Sequence, residues 1–136
     1  MSEFVVVNTH INDLEALKRT LADFGIDESQ IEVYDEPVRL EGWQGDRSRS
    51  AHVVIRKRIL GNSYSDIGFE RNADGTYRIW MTDSWGNRVA SAIKNGEFLQ
   101  RYAHRKILRD VEQQYGMRVE SCEEKDGRIE IAIESD

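Results

Sequence analysis

The stretch Tyr64–Trp85, YSDIGFERNADGTYRIWMTDSW, decides the reading of the fold. Ile67 and Phe69 alternate with Gly68 and Glu70 before Asn72-Ala73-Asp74-Gly75, and Tyr77, Ile79 and Met81 alternate with Arg78 and Trp80 after it. A period of two is the pattern of a half-buried strand, and Asp-Gly supplies the positive φ that a tight hairpin turn requires. The stretch therefore reads as a β-hairpin with one apolar face. Trp80 shares its parity with Arg78 and Thr82, which puts it on the less buried side of the sheet.

Working outward, a second hairpin closes the chain. Met117–Cys122 leads to a Lys125-Asp126-Gly127 turn, after which Ile129, Ile131 and Ile133 alternate with Arg128, Glu130 and Glu134. At the other end, Phe4–Thr9 is apolar on both alternating sets, as in a strand covered on both faces, so a central position in the sheet is expected. Ile31–Trp43 reads as extended chain broken near Pro37, which lacks an N–H and belongs at an edge or a bulge. Gly42–Ser50 reads as a loop and Ala51–Leu60 as a strand. Two helices are predicted. Asn12 serves as N-cap with Glu15 placed for a capping box, Leu14, Leu17, Leu21 and Phe24 form one stripe, and Gly25 ends the helix. Glu97–Tyr115 carries Phe98/Leu99, Tyr102/Ala103, Ile107, Val111 and Tyr115 as its apolar face, with Gly116 as cap. Between hairpin and helix, Val89, Ala90 and Ile93 begin a helical pattern that Asn95-Gly96 interrupts. The expected fold is a single α+β domain over residues 1–136, with two helices packed on one face of a mostly antiparallel sheet of six or seven strands.

Composition narrows the function classes. A chain of 136 residues is one domain by length and buries roughly two-thirds of its unfolded surface without a metal or disulfide staple. The longest apolar run near the start is Phe4–Val7, against roughly 20 residues for a membrane span. No basic segment followed by an apolar core opens the chain, so no secretory signal is expected. Cys122 is the single cysteine, which fits a reducing, cytoplasmic setting. The net charge of −6 argues against coating nucleic acid by bulk charge.

Several short motifs combine in order: Ile11-Asn12-Asp13-Leu14-Glu15-Ala16-Leu17-Lys18, then Asp66-Ile67-Gly68-Phe69-Glu70-Arg71-Asn72 with Asp74-Gly75-Thr76-Tyr77, then Asp83-Ser84-Trp85-Gly86, then Phe98-Leu99-Gln100-Arg101-Tyr102-Ala103. Their order and spacing resemble the uncharacterised family that includes the hypothetical chloroplast reading frame thirty-five proteins of algal plastids and cyanobacteria. The resemblance spans nearly the whole chain. It implies a bacterial, phage or plastid-type soluble protein and brings no catalytic residue with it. Arg47–Arg58 and His104-Arg105-Lys106 do not match the family's pattern.

Chemistry-bearing residues are sparse. His10, His52, His104 and Cys122 lack ligand spacing, so no metal or cofactor is expected. Asp66, Asp74 and Asp83 could gather near the hairpin ends, but turn and strand-end carboxylates are the simpler reading. There is no Gly-x-Ser-x-Gly elbow. Cys122 stands among Glu120, Glu123 and Glu124, which raise a thiol pKa, and reads as a buried structural residue. Gly42-x-x-Gly45 is too short for a phosphate loop. No enzymatic activity is expected, and an enzyme or small-ligand protein with a site at the hairpin ends is the third reading. Two binding readings remain. Arg78, Trp80 and Trp85 combine the residue types of protein interfaces, so a protein partner is the first expectation. RNA or single-stranded nucleic acid is the alternative, through Arg56 and Arg58 and the row Arg101, Arg105, Arg109 at i, i+4, i+8. Against it stands the ordinary outcome that an acidic chain pairs such a row with its own carboxylates.

Overall fold

The computed structural model describes residues 3–61, 64–82, 87–115, 118–125 and 128–134. In chain order the elements are β1 (Phe4–Asn8), α1 (Leu14–Asp23), β2 (Glu32–Arg39), β3 (Ser50–Ile55), α2 (Lys57–Leu60), β4 (Ile67–Arg71), β5 (Tyr77–Thr82), α3 (Arg88–Lys94), α4 (Glu97–Tyr115), β6 (Arg118–Lys125) and β7 (Arg128–Glu134). The hairpin β4–β5 forms as its sequence dictates. Gly75 takes φ +89°, Asn72 N–H donates to the Thr76 carbonyl at 2.7 Å, and the Asp74 carboxylate accepts from Thr76 N–H at 2.9 Å.

Among the described residues the strands form an antiparallel five-stranded sheet in the order β1-β5-β4-β3-β2, and β6 and β7 pair only with each other. The fold is α+β as expected, but the strands are divided five and two rather than joined in one sheet of six or seven. Among the described residues four α-helices stand where two were expected. The predicted strand Ala51–Leu60 ends at Ile55, because the buried Asp66 carboxylate takes Lys57 N–H at 2.8 Å and turns the chain into α2. The ambiguous segment after β5 is α3, capped by Asn87, whose carboxamide oxygen accepts from Val89 N–H and Ala90 N–H. The N-cap of α1 is Asp13, not Asn12. The Tyr102 hydroxyl accepts from both Asn12 N–H and Asp13 N–H at 3.1 Å, and the Asp13 side chain then accepts from Ala16 N–H.

One face of the sheet carries the main core. Val53, Ile55, Ile67, Phe69, Tyr77, Ile79 and Met81 meet Leu17 and Leu21 of α1, Val89 and Ile93 of α3 and Phe98 of α4. Phe98 stacks between Phe24 and Phe69, with ring centroids 5.5 and 6.1 Å away. The buried stripe of α4 is Phe98, Tyr102 and Leu108, whereas Ile107 is 38% exposed and Ala103 is exposed. Of the expected apolar face, Phe98 and Tyr102 are buried and Leu99 partly so, but Ala103 and Ile107 are exposed and Leu108 is buried in place of its neighbour Ile107.

β1 lies at an edge, not the centre. Val5 and Val6 are 42% and 45% exposed. The edge position expected from Pro37 is right for β2, whose register with β3 breaks between Val33 and Val38.

Candidate binding surface

The helix-free face of the sheet has a small core of its own. Leu40, Ala51 and Val54 are buried there, with Phe4, Val38 and Trp80 packed against them. Two glycines make room. A Cβ on Gly68 would lie 2.6 Å from Ala51 Cβ and 2.7 Å from Leu40 Cδ1, and one on Gly42 would lie 2.5 Å from the Phe4 ring. The segment after β2 therefore folds over the sheet and presses Leu40 against the bare backbone of β4. It is held by Asp66, 1% exposed at its side chain, which accepts from Glu41 N–H at 2.7 Å while Asp66 N–H donates to the Glu41 carbonyl at 2.8 Å.

Beside this patch Trp80 is half-buried and fixed in orientation. It stands between Val6 of β1 and Gly68 of β4 in the sheet register. Its indole N–H donates to Glu70 Oε1 at 2.9 Å, Arg78 Nε donates to the same oxygen at 2.8 Å, and the Arg49 guanidinium lies 4.4 Å from the ring centroid. Arg78 and Trp80 thus lie together as their parity predicted, each tied to Glu70. Trp43 and Tyr64 form an edge-on pair at 4.7 Å. Trp85 and Asp83 lie outside the described residues, as do the side-chain surroundings of Cys122.

Arg56, Arg101, Arg105 and Arg109, four of the five cations singled out for nucleic acid, have carboxylate partners within the fold. Arg109 Nε reaches the Asp13 carboxylate at 2.8 and 2.9 Å, Arg105 Nε reaches Asp23 at 2.8 Å, and Arg101 lies 3.9 Å from Asp23. The row joins α4 to α1. Burial works to raise the Asp13 carboxyl, but the Ala16 N–H, Arg109 and Lys106 outweigh it and hold it below the usual carboxylate range. Arg56 bridges Glu32 at 3.2 Å and Asp66 at 2.9 Å. Burial disfavours its charge, yet the two carboxylates raise its pKa further above the usual value. Burial also acts to raise Glu32, and Arg56 and Tyr34 reverse this. Arg58 is exposed on α2. Asp66 and Asp74 serve separate structural ends, one pinning Arg56 and the chain at Glu41, the other closing the hairpin turn. His52 Nδ1 accepts from Arg71 N–H at 3.0 Å.

A feature the residue-by-residue reading missed is a cleft of about 460 Å³ at the end of β1. Asn8–Asn12 form one wall, and Leu99, Tyr102, Ala103 and Lys106 of α4 form the other. The one sequence signal for it is the apolar pair Leu99 and Ala103 on α4, of which Leu99 is only partly buried against the core and Ala103 is exposed.

Fold and surface together define an α+β protein built on a five-stranded antiparallel sheet, with helices on one face and a tryptophan-centred patch on the other. Comparison with known sequences gives the family. Residues 20–132 match the model of the family described as protein of unknown function DUF1257, and the chain belongs to that family. It is also similar to a protein described as uncharacterized protein ycf35 from Pyropia yezoensis, at 23% identity over 138 residues, covering 98% of this chain and 97% of that protein. The match agrees with the resemblance carried by the sequence motifs. No solved structure matches.

Proposed function

We propose that this is a non-catalytic cytoplasmic protein that works by binding a protein partner on the helix-free face of its sheet, with Trp80 as anchor and Arg78 beside it, and with Trp85, three residues past the end of β5 in sequence, as a further contact. The observation that carries this reading is the state of Trp80. It is only partly buried, yet Glu70 and Arg49 already hold its ring, and the exposed Val6 lies next to it. A pre-oriented aromatic spends little side-chain entropy on binding, and tryptophan and arginine are the side chains most often dominant in protein interfaces.

A second reading, RNA or single-stranded nucleic acid stacking on Trp80, draws on the Arg49 guanidinium over that ring. The internal pairing of Arg56, Arg101, Arg105 and Arg109 weighs against it, since those cations would have to leave carboxylates to reach phosphates.

Tagged full-length protein, its R78A variant and its W80A variant should be purified from the native host, with co-purified proteins read by mass spectrometry and co-purified RNA by sequencing. The expected result is one protein held by the parent and reduced at least tenfold in both variants, with the thermal midpoint of R78A unchanged. Equal retention by all three proteins, or RNA as the variant-sensitive species, overturns the reading.

A further inference from the structure

β1 and the C-terminal hairpin each lack what the other offers. Among the described residues, no strand pairs with the second edge of β1, and Val5 and Val6 are exposed. Sheet edges in soluble proteins are ordinarily blunted by charge, proline or a bulge. The far edge, β2, has all three in Glu32, Asp35, Glu36, Pro37 and its register break. β1 reads FVVVN, pairs with β5 in unbroken register, and has none of them. The cleft at its end continues the unoccupied apolar surface onto α4 through Leu99 and Ala103.

Among the described residues β6 and β7, conversely, are paired only with each other. An isolated two-stranded hairpin is marginal in water. The alternation of Ile129, Ile131 and Ile133 in sequence is that of a strand with one face to bury. Two residues separate α4 from β6. A strand that follows a helix packed on a sheet ordinarily returns to that sheet. From β5 through α4, the neighbouring position on one side is filled by β4, and the open one lies beyond β1. A strand placed there by such a crossover runs parallel to β5 and antiparallel to β1.

We propose that this chain's own C-terminal hairpin docks on β1, with β6 antiparallel to its free edge and the isoleucine-bearing side over Val5 and the cleft. The short link to α4 favours the chain's own hairpin over that of a second copy, because it holds β6 at high effective concentration. Docking also supplies the missing edge protection. The outermost strand becomes β7, whose Arg128, Glu130 and Glu134 are the charges that discourage further strand addition. This proposal does not depend on the partner reading, which concerns the face of the sheet rather than its edge.

Cys122 on β6 makes the arrangement testable in the full chain. V5C, V6C, V7C and N8C variants each place a second thiol along β1, and a disulfide forms only where Cβ atoms come within about 3.5–4.5 Å. Under mild oxidation at least one variant, and not all four, should form a bond to Cys122 within a monomer. In parallel, I131D should speed amide exchange across Phe4–Asn8 at least tenfold while leaving α1 unchanged. Absence of any intrachain bond across the scan, bonds only between chains, or equal exchange of β1 in the parent and I131D overturns the proposal.

Discussion

The two faces of the sheet are built from the same strands but closed by different means. On the helix face, three helices bring long side chains onto β4 and β5, and Phe69, Ile79 and Met81 are fully covered. On the other face, alternate residues of the same strands, Gly68 and Trp80, meet a loop residue, Leu40, which fits only because position 68 has no side chain. One face is thus secured by volume and the other by the absence of it. The first tolerates no truncation, whereas the second tolerates no addition, and its small core leaves Trp80 and Val6 accessible.

The largest expected effect tests the helix face. Phe69→Ala should cost about 3–5 kcal/mol in urea unfolding, since Phe69 is fully buried against Phe98. Ile107→Ala should stay within about 0.5 kcal/mol because that side chain is outside the core. A reversed order would mean that α4 packs through Ala103 and Ile107 after all. The open face is tested by Gly68→Ala, which adds one methyl where Ala51 and Leu40 already lie within 2.7 Å. It should cost about 1–3 kcal/mol and alter Trp80 fluorescence. Were the cost negligible and the spectrum unchanged, Leu40 would not be pressed onto β4 as described.

The smallest effect is a pH dependence. Burial, followed by the nearby Arg71, lowers the pKa of His52, which uses its unprotonated Nδ1 as an acceptor. As pH falls through about 6.5, the unfolded chain takes up a proton that the folded chain resists, so stability present above that pH is lost below it. Urea midpoints measured between pH 7.5 and 5.5 should fall in the parent protein and fall less in H52N. An equal slope in both would remove His52 as a source of the dependence.

Much of this was legible in sequence. The Asp-Gly hairpin, the Leu17–Leu21 stripe, the Trp80 parity and the edge position of β2 rest on local rules, namely turn chemistry, residue period and the missing N–H of Pro37. The readings that failed were those in which one pattern serves two environments. Phe4–Val7 is apolar on both parities, which describes a central strand and an uncovered edge strand equally well. Ile59 and Leu60 continue the apolar pattern of β3, but Asp66, buried just ahead of the next strand, captures Lys57 N–H and winds them into α2. On α4 two apolar rows lie one residue apart, and only the position of α1 selects the row that is buried. The arginine row was visible as a row. Its use was not, because Asp13 and Asp23 come from an element about ninety residues away.

By itself, then, the sequence determined the class of fold, the two hairpins, the two long helices and the family, since each follows from short-range pattern or from motif order along the chain. Tertiary structure alone decided which strand is the edge, which helix row is covered, that the cations on α4 pair with carboxylates of α1 and its cap, and that Trp80 lies partly buried opposite a glycine. Those outcomes depend on which distant segments arrive opposite a given face, and burial and charge pairing are properties of that meeting rather than of either segment.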